Sequence, residues 1–319
     1  MNEFYLINNY FLKIAKKNKF ALNLNDDVFF DKKRGVVISV DTYNIGTHFF
    51  NFKSPDLVIK KILRSSISDL ICKGVKPKFY FISGSGNKKT FTKNNLYKIS
   101  KSLKSEHNKF NIDLCGGDTT FSNKLSFTIT SVGYSNKIIY RNKAKSNDDI
   151  YVTGNLGDSY LGLKALSSKA KFKNKDKLFF VDKYYKPELP FNLTKYLLKF
   201  ANSSIDVSDG LIDDLSKMIN RQILSFHLFE KKIPISKKLS NLINKQGLNK
   251  INLISKGDDY QVLFTASINK ARIIEKTSKA TGIKITKIGK IVSGKNRSLI
   301  FDEKGKQIQA KSKGYIHQF

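Results

Sequence analysis

Short runs of β-branched and aromatic residues alternate along the chain with longer stretches whose apolar residues recur every three or four positions. Residues 2–19 read as an amphipathic helix. GVVISV (35–40) predicts a buried strand that runs straight into Asp41. Ser54-Pro55-Asp56 predicts a helix start: a capping hydroxyl, a proline in the first turn, an early acid. Leu57, Val58, Ile62, Leu63, Ile67, Leu70 and Ile71 then follow at helical spacing until Gly74. KFYFIS (78–83) predicts a strand and 92–108 a helix. FNIDLC (110–115) predicts a strand ending at Gly116-Gly117-Asp118, and LSFTITSVGY (125–134) another. In the second half, IYVTG (150–154) opens as a strand, and Leu156-Gly157-Asp158-Ser159 leads into a short helix. IDVSDGLIDDL (205–215) predicts a strand end, a turn at Gly210 and a helix. GDDYQVLFT (257–265) predicts a tight turn feeding a strand, and TKIGKIVSG (286–294) a late strand. The basic stretch 141–149 reads as a linker, and the Lys-rich stretch 168–177 as a solvated loop.

Strands and helices alternate in both halves, and no short-period repeat marks a solenoid. The pattern predicts an α/β chain of α+β type with two lobes, each built on one sheet. The division expected is 1–140 and 141–319, in keeping with a length of 319 residues.

Composition narrows the function classes. No stretch approaches the roughly 18–20 apolar residues a membrane span needs. The N-terminus has no basic segment ahead of its apolar residues, so a cytoplasmic protein is expected. Two cysteines, Cys72 and Cys115, are too few for a disulfide framework or a thiolate metal site. The formal charge is +32, but only six of the 58 basic residues are Arg, and the lysines are spread along the chain. A nucleic-acid reader clusters its charge and uses Arg for bidentate contacts. Nucleic acid is therefore not the expected partner, although such a charge steers anionic substrates inward.

The informative residues are acidic. Of 26 acids, eleven fall in a few short motifs: Asp26, Asp27, Asp41, Asp69, Asp118, Asp206, Asp209, Asp213, Asp214, Asp258 and Asp259. Most stand at predicted strand ends or turns beside Gly, Ser or Thr, where α/β sheets form ligand crevices. Aspartate, with a short stem and hard oxygens, suits Mg2+. Converging carboxylates repel by roughly 4 kcal/mol per pair at about 4 Å and an effective dielectric near 20, so a cation is expected among them. Each motif taken singly also suits a plainer role: Asp26-Asp27 a turn, Asp41 a cap, Asp69 a solvated helix face, the other three turns or helix entries. His48 singly suits a core site, and Tyr315 packing.

In order and spacing, NDDVFF, SVDTYNIGTHFF, SPDLVIKKILRSSISDLICKGVKP, LCGGDTTFS, IYVTGNLGDSYLGL, IDVSDGLIDDL, KGDDYQVLFT and the closing GYIHQF resemble thiamine-monophosphate kinases. These belong to the wider superfamily of aminoimidazole ribonucleotide synthetase. The resemblance covers residues 25–319. It implies a PurM-like pair of α/β domains, each a mixed sheet with helices on one side, with the N-terminal domains pairing in a homodimer. It implies that ATP phosphorylates thiamine monophosphate to thiamine diphosphate by direct in-line transfer, with Mg2+. By the same resemblance, Asp27, Ser39, Asp41, Asp69, Asp118, Asp206 and Asp209 match metal ligands. Gly117, Asp118, Arg141 and Ser208 match nucleotide contacts, and His48, Asp258 and Tyr315 match substrate contacts. Residues 1–140 would carry the metal site and dimerisation, and 141–319 nucleotide and substrate contacts.

The chain departs from the family pattern at several positions. Asn23 and Asn25 replace two glycines, Val40 replaces a threonine, and Ser66 replaces an asparagine. Gly257-Asp258-Asp259-Tyr260-Gln261 replaces G-E-D-Y-E, and KPELPFNL (186–193) lacks an expected arginine. The other readings are a related ATP-using enzyme of the aminoimidazole ribonucleotide synthetase type and, from a different class, a basic nucleic-acid-binding protein. The sequence offers no obvious general base. None is needed if the nucleophile is a phosphate monoester oxygen, whose second pKa is about 6.

Overall fold

The computed structural model describes residues 1–167 and 172–319. The N-terminal segment is helical, as its pattern predicts: α1 (Glu3–Leu6) and α2 (Leu12–Ala15) are joined by a wider π turn over Ile7–Phe11. The first lobe follows with β1 (Phe29–Asp31), β2 (Val36–Asn44), α3 (Pro55–Cys72), β3 (Pro77–Gly86), α4 (Lys93–Phe110), β4 (Asp113–Phe121) and β5 (Ser126–Tyr134). Its strands make one mixed sheet, β1-β2-β5-β3-β4, antiparallel except between β3 and β4.

Residues 135–148 carry no regular element. The second lobe then runs through β6 (Asp149–Thr153), α5 (Asp158–Leu166), α6 (Asn174–Tyr185), α7 (Thr194–Leu197), β7 (Ser203–Asp206) and α8 (Leu211–Met218). It continues with β8 (Leu224–Phe229), α9 (Lys237–Gln246), α10 (Lys250–Ile254), β9 (Val262–Ala266), α11 (Ala271–Thr281), β10 (Ile285–Ser293), β11 (Leu299–Phe301) and β12 (Gln307–Ile308). The sheet order is β12-β11-β8-β10-β6-β9-β7, with only β8 and β11 parallel.

Three local expectations are revised. Asp41 lies inside β2, which continues to Asn44 because its two-residue alternation persists: Val37, Ser39 and Tyr43 are buried, while Val40 and Thr42 are exposed. β4 does not stop at Gly116-Gly117-Asp118 but passes through to Phe121. The two glycines let the strand lie close to β3, and a Cβ at Gly117 would stand 1.7 Å from the Ile82 carbonyl oxygen. The Lys-rich stretch 168–177 is not all loop, since α6 begins at Asn174 and buries Phe180, Tyr184 and Tyr185; 168–171 lie outside the described residues. α9 and α11 are helices not among the expected elements; their fully buried residues are few, only Leu239 in α9 and Ile274 and Thr277 in α11.

α3 sits between the two lobes. Its apolar residues Val58, Ile59, Ile62, Leu63, Ile67 and Ile71 share a core with Tyr43, Tyr80, Phe127 and Ile129 of the first sheet, and that core continues into Tyr184, Phe200 and Phe264 of the second lobe. Its other side is polar but equally buried. Lys61, Ser65, Ser68 and Cys72, spaced four, three and four apart, form one helical stripe. Along it the Lys61 ammonium meets Asp258 at 2.6 Å, the Ser65 hydroxyl donates back to the Lys61 carbonyl at 2.9 Å, and the Ser68 hydroxyl donates to Asp206 at 2.6 Å. At the end of the stripe the Cys72 carbonyl accepts from the Ser204 hydroxyl at 2.5 Å. The lobes thus meet through hydrogen-bonded side chains, which a buried polar face requires.

Candidate active site

Where the polar stripe of α3 faces the second lobe, a cavity of about 260 Å³ opens. Its wall includes Asp41 and Tyr43 from β2, His48 from the following turn, Asp69 from α3, and Asp206, Ser208 and Asp209 from the end of β7 and the loop after it. Asp258 and Tyr260 come from the turn before β9, and Tyr315 and His317 from the C-terminal tail. Local rules place each of them. The strand alternation of β2 sends Ser39, Asp41 and Tyr43 to one face. Helical spacing puts Asp69 next to the Ser65–Ser68 stripe.

The two loops of the second lobe are zipped together. Val207 N–H donates to Gln261 O, Asp258 N–H to Ser208 O and Tyr260 N–H to Val207 O, each at 2.8 Å. This close approach requires a glycine at 257, with φ +74°, because a Cβ there would stand 2.1 Å from the Ser208 carbonyl oxygen. The tail is held likewise. Tyr315 N–H donates to Asp209 O at 3.0 Å, and the chain ends pair, with Phe319 N–H on Met1 O at 2.7 Å and Glu3 N–H on His317 O at 3.3 Å.

The carboxylates repel one another and are desolvated. Burial pushes the Asp41 carboxyl up to about 6, against partial relief from Tyr43, Asp69 and Ser66. Burial, then the charges of Asp41 and Asp206, push Asp69 well above the usual carboxylate range. Burial also raises Asp206, with Ser68 and Arg141 opposing. Oxygens of Asp27, Asp69 and Asp206 lie within 4.8 Å of one another, as do those of Asp209, Asp213 and Asp214. In the second group Lys217 supplies the counter-charge, at 2.5 Å from Asp209 and 2.9 Å from Asp213. Next to Tyr43, at 5.7 Å between ring centroids, His48 Nδ1 accepts from Asn44 N–H at 3.0 Å, so the neutral ring carries its proton on Nε2. Burial, then the charge of His317, whose ring lies tilted at 5.3 Å, holds His48 below its ordinary pKa.

Of the residues singled out from the sequence, Asp41, Asp69, Asp206, Ser208, Asp209, His48, Asp258 and Tyr315 share this cavity. Asp27 stands beside Asp69 and Asp206, and its carboxylate is held by Lys73 and by the guanidinium of Arg141. Arg141 thus turns inward onto an acid. Ser39 lies under the site, its hydroxyl donating to Ser66 O at 3.3 Å. Gly117 and Asp118 are elsewhere, on the exposed edge strand β4, where Asp118 accepts its neighbour Thr119 N–H at 2.8 Å. Sequence reading missed Lys61, Ser65, Ser68, Lys73, Tyr260 and His317. The available signal was the polar stripe within an otherwise apolar helix.

This arrangement sets hard carboxylate oxygens beside phenol and histidine rings, with Tyr43 O–H donating to Asp41 at 3.3 Å and Tyr260 O–H to Asp258 at 2.9 Å, as a site for a polyphosphate and a ring-bearing substrate would. The family model "AIR synthase related protein, N-terminal domain" matches residues 24–135. The chain is 35% identical to the thiamine-monophosphate kinase of Buchnera aphidicola from Acyrthosiphon pisum, over 99% of this chain and 98% of that protein. It is 32% identical to the thiamine-monophosphate kinase of Haemophilus influenzae, over 91% and 89%. The solved structure of AaThiL complexed with AMPPCP and TMP superposes with a TM-score of 0.85 at 26% identity, over 99% of this chain and 97% of that one. With full-length identity of this degree and the same two-lobed architecture, the chain belongs to the thiamine-monophosphate kinase family.

Proposed function

We propose that this protein phosphorylates thiamine monophosphate with ATP, giving thiamine diphosphate and ADP. The observation that carries the reading is the convergence of Asp41, Asp69 and Asp206 with His48, Asp258 and Tyr315 around one cavity between the lobes. AaThiL, the similar structure, is complexed with AMPPCP and TMP.

In this reading an oxygen of the substrate's own phosphate attacks the γ-phosphorus of ATP in line. The bond from that phosphorus to the β–γ bridging oxygen breaks, and ADP leaves with the electron pair. The attacking oxygen is largely deprotonated at pH 7, because a phosphate monoester's second pKa is about 6. No side chain is required as a strong base, and the work is positioning and charge stabilisation.

The donor set fits Mg2+. Oxygens of Asp69 and Asp206 lie within 4.8 Å of each other, and Asp41 joins them in the wall of the same cavity. Asp41, Asp69 and Asp206 would hold the ion, and Asp27, Ser39 and Asp209, which the resemblance also matches to metal ligands, would border it. Bound there, Mg2+ would bridge phosphate oxygens and offset their charge. Ser208 is assigned to the nucleotide. His48, Asp258 and Tyr315 are assigned to thiamine monophosphate, and Lys61 holds the Asp258 carboxylate at 2.6 Å.

Gly117, Asp118 and Arg141 are assigned to the nucleotide, and Asp118 to the metal as well. Gly117 and Asp118 would serve from the uncovered edge of the first sheet, which in a homodimer is brought to a second copy. Pairing through the first sheet is supported by an exposed apolar row. Val40 and Phe81 both lie opposite Thr130, and they are 61% and 41% exposed. In this division 1–140 carries the acids of β2 and α3 and the pairing face, and 141–319 the nucleotide and substrate loops. The location proposed is cytoplasmic; among the described residues no helix is long and apolar enough to cross a membrane.

The test is ADP release from ATP with thiamine monophosphate, with and without Mg2+, and mass detection of thiamine diphosphate. Turnover only with both is expected. Salt-sensitive nucleic-acid binding without turnover would overturn the reading.

A further inference from the structure

Lys73 is the residue whose position the proposed chemistry leaves unexplained. It caps the C-terminus of α3, and its side chain is completely buried. A buried ammonium persists only where its charge and its three N–H donors are met. Here all three acceptors are present: Asp26 Oδ1 at 2.6 Å, Asp27 Oδ2 at 2.6 Å and the Ser204 carbonyl oxygen at 2.9 Å. Arg141 completes the enclosure. Its backbone N–H donates to Asp26 Oδ2 at 3.0 Å, and its guanidinium reaches both oxygens of Asp27. Every oxygen of the Asp26–Asp27 pair is therefore engaged by Lys73 or Arg141. By contrast, no lysine or arginine forms an ion pair with Asp41, Asp69 or Asp206 among the described residues.

We propose that the Lys73 ammonium is a resident cation that fills the Asp26–Asp27 end of the carboxylate cluster, leaving Asp41, Asp69 and Asp206 as the acids of that cluster open to a divalent ion. Lys73 is then a positioning residue. It anchors the Asp26-Asp27 turn of the first lobe to β7 of the second, and it lowers the number of divalent ions the site takes up. The inference rests on the Mg2+ reading above and adds to it which carboxylates are already spoken for.

The number of Mn2+ ions bound per chain, counted from the loss of the free-ion electron paramagnetic resonance signal, tests this. Lys73→Met keeps the volume and removes the charge. It is expected to bind one more Mn2+ than wild type, and to gain more thermal stability from Mn2+. The triple variant Lys73→Met/Asp26→Asn/Asp27→Asn is expected to return to the wild-type count. Should Lys73→Met not fold, Asp26→Asn in the wild-type background is expected to leave the count unchanged while Asp69→Asn lowers it. Equal counts in wild type and Lys73→Met, or a count lowered by Asp26→Asn, overturn the role of Lys73 and leave the Mg2+ reading standing. A wild-type chain that binds no Mn2+ overturns both.

Discussion

Asp69 shows how far a single residue's meaning depends on what surrounds it. In a lone helix an aspartate belongs on the wet face, whereas here it is packed beside Asp41 and Asp206 with its proton affinity raised. Such a group costs stability and is retained for function. Asp69→Asn is therefore expected to lower kcat for ADP release at least about a hundredfold, the scale of losing one charge-organising group. The same change should raise the melting temperature of the metal-free protein. Steady-state kinetics and thermal denaturation check the two halves. The pH dependence has a definite sign. Asp41 titrates at about 6 in the folded chain against 3.8 ordinarily. Its contribution to stability is fully present below the ordinary value and is lost as pH rises through the folded one. In the metal-free protein this slope between about pH 4 and 6 should flatten in Asp41→Asn. Protons compete for the same oxygens, so Mn2+ affinity should rise across that window, as measured by calorimetric titration.

At the scale of elements, the first lobe was legible because its strands and helices carry strong period-2 and period-3.6 patterns. α3, β3, α4 and β5 lie where those patterns put them, and β2 starts there but runs on to Asn44. β4 was misjudged at its end, since glycine pairs ordinarily mark turns. Here they serve close packing of parallel strands, which only the partner strand reveals. Gly117→Ala should force β3 and β4 apart at Ile82 O and cost more than about 2 kcal/mol, on the scale of steric conflicts in packed structure, read as a lower melting temperature. The exposed row on the same sheet carries a separate expectation. Val40→Lys with Phe81→Lys should shift the mass seen by light scattering from dimer to monomer without loss of helical circular dichroism.

Over the whole molecule, charge and connectivity act at long range. A chain of formal charge +32 that binds two anionic substrates should show kcat/KM falling as salt is raised, with kcat little changed, because screening acts on encounter. Activity across a salt series checks this. The inter-lobe seam was not legible. Lys61 with Asp258, Ser68 with Asp206 and Lys73 with the Ser204 carbonyl join residues more than 130 positions apart, and no local rule pairs them. The sequence alone determined the two-sheet class, the main elements of the first lobe, the family, and the acids worth watching, because backbone periodicity and motif order are local properties of the chain. Tertiary structure alone decided which acids meet. Asp41, Asp69 and Asp206 converge with no ion-pair partner among the described residues, Asp27 is clasped by Lys73 and Arg141, and Asp118 lies on an open edge. Electrostatic fate depends on distance and burial, and those exist only once the lobes have closed.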